Sequence, residues 1–522
     1  MMHTFLRLFL QTALLMTAGL SQAAVTPPKP NIILIYADDM GMGLLGCYGE
    51  SLVKTPNIDR LAEQGSMFTR CYSSQYCCPA RASLLMGVHD SHSKSYSETP
   101  GGLVITAEKQ GWSNEEFEQK AAQRAGIKPP PQEVFQPEML KKAGYVTAQF
   151  GKLDWGFTTW HGELQRHGWD HYVGYMDHVR AHGYYPSFLW KNGERLPLEG
   201  NTHTDAGKTP ENYSQGATEK RRGNREGKVT YAPDVMLRET LKFMEENRKK
   251  PMFIFFSTNL PHGPVDIPPA ENVYAGNPEI RKAYANASGG NKECGAAAEE
   301  YASMVDKLDR QVGAIVAQVH KLGLEKRTMI IFASDNGHEI YYRTDKGRGR
   351  GLDYHGGIVD KNGELLDVFR GNRGIGGLKN AMVNLAGLKW TNHEGGIRVP
   401  MIVSWPGTLP HGKVCHSLVA NYDHMATFAD LAGVRKPERK DAVSYKSLLL
   451  GKPGKLRDYI VIDHTVITGD GWKLTMKNGQ WLLFQISRDP EERNNLAEKQ
   501  PKQLERLQAI YKKEVGSPRK DR

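Results

Sequence analysis

Three short, almost unbroken apolar runs, each leading into a polar cluster, constrain this chain most. Asn31-Ile32-Ile33-Leu34-Ile35-Tyr36-Ala37 runs into Asp38-Asp39, and Met252-Phe253-Ile254-Phe255-Phe256 precedes Pro261-His262. Thr328-Met329-Ile330-Ile331-Phe332-Ala333 ends in Ser334-Asp335-Asn336-Gly337. Runs of this length and purity are expected of strands buried on both faces. Helical patterns at 58–63, 137–143, 233–247 and 299–322 alternate with them. The alternation predicts an α/β protein with a largely parallel sheet covered on both sides. Ligands of such sheets bind beyond the carboxyl ends of the strands, so the three polar clusters are expected to converge there.

A chain of 522 residues exceeds what one compact core usually holds. A second, smaller domain is expected from about residue 440, giving a body at 24–440 and a C-terminal domain at 441–522. Strands are read there at 459–462, 472–476 and 481–485, followed by an amphipathic helix at 498–515, which makes a small sheet plus helix. Two polar stretches, 91–131 and 201–228, are long for loops and are expected to shape access to the site. Gly183-Tyr184-Tyr185-Pro186, with Phe188, Trp190 and nearby His182, forms either a sugar-stacking wall or part of the core.

Residues 1–23 read as a signal peptide, with Arg7, an apolar run at 8–20, and Ser21-Gln22-Ala23 as a cleavage site. The run is too short and too interrupted for a membrane anchor, so an exported protein, periplasmic or secreted and without a membrane partner, is expected. Removing the signal leaves 67 Lys and Arg against 58 Asp and Glu, an excess that suits a polyanionic substrate. No basic helix or aromatic–basic interleaving points to nucleic acid. Six cysteines in so long a chain are not a disulfide scaffold, and no pairing is assigned.

Cys77-Cys78-Pro79-Ala80-Arg81 opens an apolar segment. Pro suits the first helical turn, which puts Cys77 at a helix N-terminus, where free N–H groups favour negative charge. Arg81, one turn later, can point back at it. Two such cysteines can equally be buried small hydrophobes. Asp38-Asp39 and Asp335-Asn336, each after a buried strand, offer hard oxygen donors that suit Ca²⁺ or Mg²⁺. Either pair alone would read as a turn.

Together these motifs resemble the sulfatase family, whose C-x-P-[S/A]-R sequence is modified so that the Cys becomes formylglycine. Only Cys77 has Pro two positions on and therefore matches. The resemblance extends over Lys54-Thr55-Pro56-Asn57-Ile58-Asp59-Arg60-Leu61, Gly151-Lys152, Pro261-His262 and Glu394-Gly395-Gly396-Ile397-Arg398-Val399-Pro400, in family order. It implies a large mixed, mostly parallel sheet sandwiched by helices, of the alkaline phosphatase-like kind, with a smaller C-terminal domain of antiparallel sheet plus helix. It further implies one Ca²⁺ held by Asp38, Asp39, Asp335, Asn336 and modified Cys77, and a formylglycine-generating maturation enzyme as partner. Hydrated formylglycine at position 77 would attack the sulfur of a sulfate ester, with Arg81, Lys152, His262 and Lys389 handling charge and His262 protonating the leaving oxygen. Where the family has Trp-His-Leu-Gly after Gly-Lys, this chain has Leu153-Asp154-Trp155-Gly156, so Asp154 takes the place of the usual His as base or orienter.

The expected activity is hydrolysis of sulfate esters, on a sulfated carbohydrate or polysaccharide. Two alternatives remain at this level: a phosphate or phosphonate ester hydrolase of the same superfamily, and a silent glycan-binding homologue in which Cys77 is never modified.

Overall fold

The computed structural model describes residues 29–92, 101–124, 132–153, 156–202, 225–287, 295–339, 385–454 and 456–515. The expected signal peptide, Asp154 and Cys294 lie outside them.

The central strand is β1 (Asn31–Ala37). It pairs in parallel with β7 (Met252–Ser257) on one side and β8 (Thr328–Ser334) on the other, with Ile33 opposite both Ile254 and Ile330. Beyond β7 lie β3 (Val146–Gly151) and β4 (His171–Gly174), both parallel to it, then β5 (Phe188–Lys191) and β6 (Glu194–Pro197) as an antiparallel edge. Beyond β8 lie β9 (Arg398–Ser404), β2 (Ser66–Tyr72) and β10 (Lys413–Cys415), with β11 (Val419–Ala420) also on β2. β9 is antiparallel to both β8 and β2. The sheet is thus mixed and mostly parallel, as expected.

The all-apolar strand runs follow from burial on both faces. Ile33, Ile35 and Ala37 of β1 enter one core, with the helices Pro56–Glu63, Ala232–Asn247 and Gly295–Lys321. Ile32, Leu34 and Tyr36 enter the other, with the helices Cys77–Met86, Gln136–Lys142 and Asp423–Ala432. The polar stretch at 91–131 is not simply loop. It contains the helices Leu103–Gln110 and Asn114–Arg124, whose sparse apolar residues Leu103, Val104, Phe117 and Ala121 are buried in that second core. Most of the other stretch, 203–224, lies outside the described residues.

A second sheet is an antiparallel meander of β12 (Tyr459–Ile462), β13 (Thr465–Thr468), β14 (Trp472–Lys477) and β15 (Gln480–Gln485). One face packs on Leu507 and Tyr511 of the terminal helix Pro501–Val515. The other packs through Ile460, Ile462, Ile467 and Phe484 against Tyr72, Ile397 and Tyr422 of the large body.

Buried charges also join the two sheets. Lys473 on β14 donates to Glu394 Oε1 at 3.1 Å and to Glu492 Oε1 at 2.6 Å. Glu492 accepts the Glu394 backbone N–H at 2.8 Å, and Tyr72 donates to Glu394 Oε2 at 2.8 Å. Removing one partner of such a cluster leaves buried charge uncompensated. Lys473→Met is therefore expected to cost about 3–5 kcal/mol, read as a lower denaturation temperature. Burial alone would raise the Glu492 carboxyl, but Lys473 and His393 more than offset it and bring it to about 2. The folded value lies below the ordinary one of 4.5, so this stabilisation is full above that pH and fades as pH falls toward 2. A Glu492→Gln protein should show a flatter decline in denaturation midpoint over that window.

Candidate active site

Every strand that carries a sequence-predicted residue points it to one sheet edge. Asp38 and Asp39 follow β1, Lys152 follows β3, His262 lies beyond β7, and Asp335 and Asn336 follow β8. Cys77 follows β2 by a short connection. Lys389 reaches the same edge from the opposite direction, because reversed β9 begins there. Asp38, Asp39, Arg81, Lys152, His262, Asp335, Asn336 and Lys389 are all buried, as is Cys77.

The helix Cys77–Met86 is buried at all ten positions, which explains why its sequence is apolar on every side apart from Arg81 and Ser83. Cys77 Sγ lies 3.9 Å from Asp39 Oδ1. Burial pushes the Cys77 thiol up to about 11, despite Lys152 and Lys389 nearby. One turn on, Arg81 places Nε and Nη2 on Asp335 Oδ2 at 3.1 and 2.8 Å, and its Nη2 is 3.7 Å from Asp38 Oδ1. Its Nη1 also donates to Ser257 Oγ. A guanidinium forked on a carboxylate is a rigid, oriented cation.

Asp38 and Asp39 are each met by a lysine ammonium group. Lys152 Nζ donates to Asp38 Oδ2 at 2.5 Å, and Lys389 Nζ to Asp39 Oδ2 at 2.6 Å. Burial would raise the Asp38 carboxyl, but Lys152 and Arg81 hold it below its usual range. Burial would lower Lys389, but Asp39 and its neighbours raise it well above the ordinary lysine value, so it stays charged. Asp335 Oδ1 accepts the Asp39 backbone N–H at 3.0 Å, and Asn336 Nδ2 donates to Asp39 Oδ1 at 2.7 Å. Asp39 has a left-handed φ of 62°, a conformation Asp tolerates better than most residues.

His262 Nδ1 is hydrogen-bonded to Gly263 O, which leaves Nε2 facing Lys389 Nζ at 3.3 Å and Asp39 Oδ2 at 3.2 Å. Two further groups belong here that sequence reasoning did not place. The His182 ring stacks on His262 with centroids 3.9 Å apart, and its Nε2 is 3.4 Å from Lys152 Nζ. The Trp390 ring stacks on Tyr76 at 4.9 Å, tying the segment before Cys77 to the one carrying Lys389. No motif flags His182: it lies in the aromatic stretch that offered a sugar-stacking wall. That wall does not form. Tyr184, Tyr185, Phe188 and Trp190 are core, and Tyr184 Oη donates to Asn259 O at 2.9 Å and to His262 O, holding the His262 turn from below.

The glycines of Asp335-Asn336-Gly337 and Glu394-Gly395-Gly396 have a packing reason. A Cβ on Gly337 would lie 1.7 Å from Gly395 O, and one on Gly395 would lie 2.2 Å from Gly387 O. Only bare backbone lets the two segments meet over the site.

The arrangement can hold a cation. Single ligand atoms of Asp38, Asp39, Cys77 and His262 lie within 4.8 Å of one another. Asp38 Oδ1 and Asn336 Oδ1 are buried oxygens without a hydrogen-bond partner. Orphaned hard donors beside the two further carboxylates of Asp39 and Asp335 are what an oxygen-loving cation would satisfy.

The family model described as Sulfatase matches residues 30–434. The chain belongs to the sulfatase family. A second model, described as N-sulphoglucosamine sulphohydrolase, C-terminal, matches residues 389–521 of this sulfatase, the part that runs from Lys389 through the second sheet. This sulfatase is 28% identical over 458 residues to the N-acetylgalactosamine-6-sulfatase of Canis lupus familiaris, covering 85% of this chain and 70% of that protein. It spans 64% of the length of the corresponding protein of Rattus norvegicus. It is 25% identical over 551 residues to the N-acetylgalactosamine-6-O-sulfatase of Bacteroides thetaiotaomicron, covering 92% of each. A crystal structure of Ps i-CgsB in complex with k-i-k-neocarrahexaose shares its fold, with a TM-score of 0.66, 23% identity and 94% of each chain covered. Membership of the family makes the protein a sulfuric ester hydrolase.

Proposed function

We propose that this sulfatase removes sulfate from a sulfated carbohydrate, using formylglycine made from Cys77 and one Ca²⁺ held by Asp38, Asp39, Asp335, Asn336 and position 77. The observation that carries the reading is the placement of Cys77 Sγ beside Asp39, within a buried ring of Arg81, Lys152, His262 and Lys389. The donor set fits calcium: three carboxylates and an amide oxygen, two of whose oxygens are otherwise unsatisfied. Relatives named N-acetylgalactosamine-6-sulfatase, and a neighbour of the same fold crystallised with a neocarrahexaose, support a saccharide substrate.

Hydrated formylglycine would supply a hydroxyl nucleophile for sulfur, and calcium, when bound, would supply positive charge to the sulfate group. The chain's own residues do the rest. Lys152 and Lys389 are anchored by Asp38 and Asp39 and present fixed ammonium groups where charge develops. Arg81 holds Asp335 in place. His262 delivers a proton to the leaving oxygen from Nε2 as the imidazolium, which Asp39 Oδ2 at 3.2 Å would stabilise, its Nδ1–H held by Gly263 O and its ring stacked under His182. Asp154 stands where the family has His, and we assign it the role of base or orienter. Asp154→Asn is expected to slow turnover by about 10²-fold or more while substrate still binds, and near-parental turnover removes Asp154 from the scheme.

Export belongs to the same proposal, as does a division of the chain at about residue 440, after which come Lys473 and Glu492. Among the described residues no helix is long and apolar enough to cross a membrane. Mass spectrometry of the Cys77 peptide from active protein tests the reading. A carbonyl that reacts with hydrazines supports it, and an intact thiol in fully active protein ends it. A rate on aryl phosphate exceeding that on aryl sulfate would favour the phosphatase alternative.

A further inference from the structure

Away from the Cys77 edge, a second group of metal-ligating side chains lies where the large body meets the C-terminal helix. His89 and His92 follow the helix Cys77–Met86, and Asp441 comes from the segment after Asp423–Ala432. Single ligand atoms of the three lie within 4.8 Å of one another. His92 Nδ1 is 2.8 Å and His89 Nε2 3.8 Å from Asp441 Oδ2. The His89 and His92 rings lie face to face, with centroids 3.6 Å apart and planes tilted by 34°, so the exposed His92 ring turns to bring both nitrogens onto one ion.

Two observations point to a ligand beyond proximity. His89 is only 3% exposed, yet both of its ring nitrogens are buried without a hydrogen-bond partner. A buried polar side chain left in that state needs a reason. His92 Nε2 lies 2.8 Å from the Glu514 backbone oxygen, an acceptor, so Nε2 carries the proton. In neutral His92 that leaves the Nδ1 lone pair facing a carboxylate oxygen, a contact that only a proton or a metal cation reconciles. A backbone carbonyl fixing the tautomer of a ligating His is the usual outer support of such a site.

We infer that His89 Nε2, His92 Nδ1 and Asp441 Oδ2 form a binding site for a divalent transition metal of the Zn²⁺ class. Two imidazoles and one carboxylate suit Zn²⁺ and disfavour Ca²⁺ or Mg²⁺, which take oxygen. His92 is exposed, so an ion would reach the site from solvent. The Asp441 carboxylate also accepts the His89 backbone N–H at 3.0 Å, so the site is braced from the main chain. A metal there staples the turn at 89–92 to Asp441 and, through Glu514, to the terminal helix. Arg457 and Glu514 are the other charged groups near His89, and neither supplies a ligand in this set.

The test is independent of the Cys77 chemistry. Full-length protein is stripped with a chelator, dialysed against Zn²⁺ and then against metal-free buffer, and its zinc content is measured. The same is done for the Cys77→Ala protein, which lacks the thiol of the other cluster. Both are expected to keep one equivalent, lost in His92→Ala, His89→Gln and Asp441→Asn, with a zinc-dependent rise in denaturation temperature only where both His and Asp441 remain. Co²⁺ in the same place should give tetrahedral visible bands without thiolate charge transfer. His92→Ala, at an exposed position, keeps the test decisive if Asp441→Asn fails to fold. Retention of the equivalent in folded His92→Ala protein overturns the assignment. So does a wild-type protein that holds no zinc, because a proton alone then bridges His92 and Asp441.

Discussion

Cys77→Ala is expected to yield a folded protein whose kcat/KM on an aryl sulfate falls by about 10⁴-fold or more. The side chain lost is small, and the helix that carries it is held by burial at every position, so stability should change by about 1 kcal/mol or less. Arg81, Lys152, His262 and Lys389 all remain, which makes the loss specific to the group at position 77. Cys78→Ala is the matched control. Cys78 is equally buried and adjacent, yet Cys77 is the one whose sulfur lies against Asp39. Parental rates from Cys77→Ala together with inactive Cys78→Ala would reverse the assignment.

The second large effect concerns Arg81. Its fork is the principal partner of Asp335, and it also touches Ser257 and lies beside Asp38. Arg81→Met is expected to cost about 3–5 kcal/mol in stability, because a buried carboxylate loses its counter-charge. Burial and the neighbouring Asp38 already push Asp335 up to about 7, so removing the guanidinium favours its protonation and frees Asp39 from its brace. Activity should fall by about 10²–10³-fold beyond the effect of any unfolding. Arg81→Lys keeps a charge but cannot span Asp335 and Ser257 together, so it should fall between parent and Arg81→Met on both measures. Chemical denaturation and kcat/KM separate the two effects, and a parental denaturation midpoint in Arg81→Met would show that the pair contributes nothing net.

The three central strands were legible because burial on both faces leaves no polar position to confuse the pattern. Their polar ends were legible for the same reason: the first charge after such a run marks the sheet edge. Other strands were harder. β2 contains Thr69, Arg70 and Cys71, and Arg70 is tolerated because its guanidinium reaches the Thr468 and Gly469 carbonyls of the second sheet. β9 was visible only as the tail of the Glu394 motif, so its reversed direction could not be read. That reversal is what brings Lys389 in. His182 was missed because its role comes from stacking on His262 across a long sequence separation, which no local spacing encodes. The helices within 91–131 were missed because Leu103–Gln110 is only eight residues long and Asn114–Arg124 buries only Phe117 and Ala121 among its charges. In the C-terminal sheet, β13 is four residues long and lacks a strong pattern.

The join between the two sheets bears on how the protein is made. Lys389 and the Glu394 turn are synthesised well before Lys473 and Glu492, which complete the buried cluster around Glu394. Until those later residues leave the ribosome, Glu394 has Tyr72 and Arg398 on Oε2 but lacks the Lys473 ammonium that meets Oε1. The last fifth of the chain therefore acts as a latch, and a nascent protein stopped short of Glu492 should present an assembled parallel sheet but a wandering Lys389.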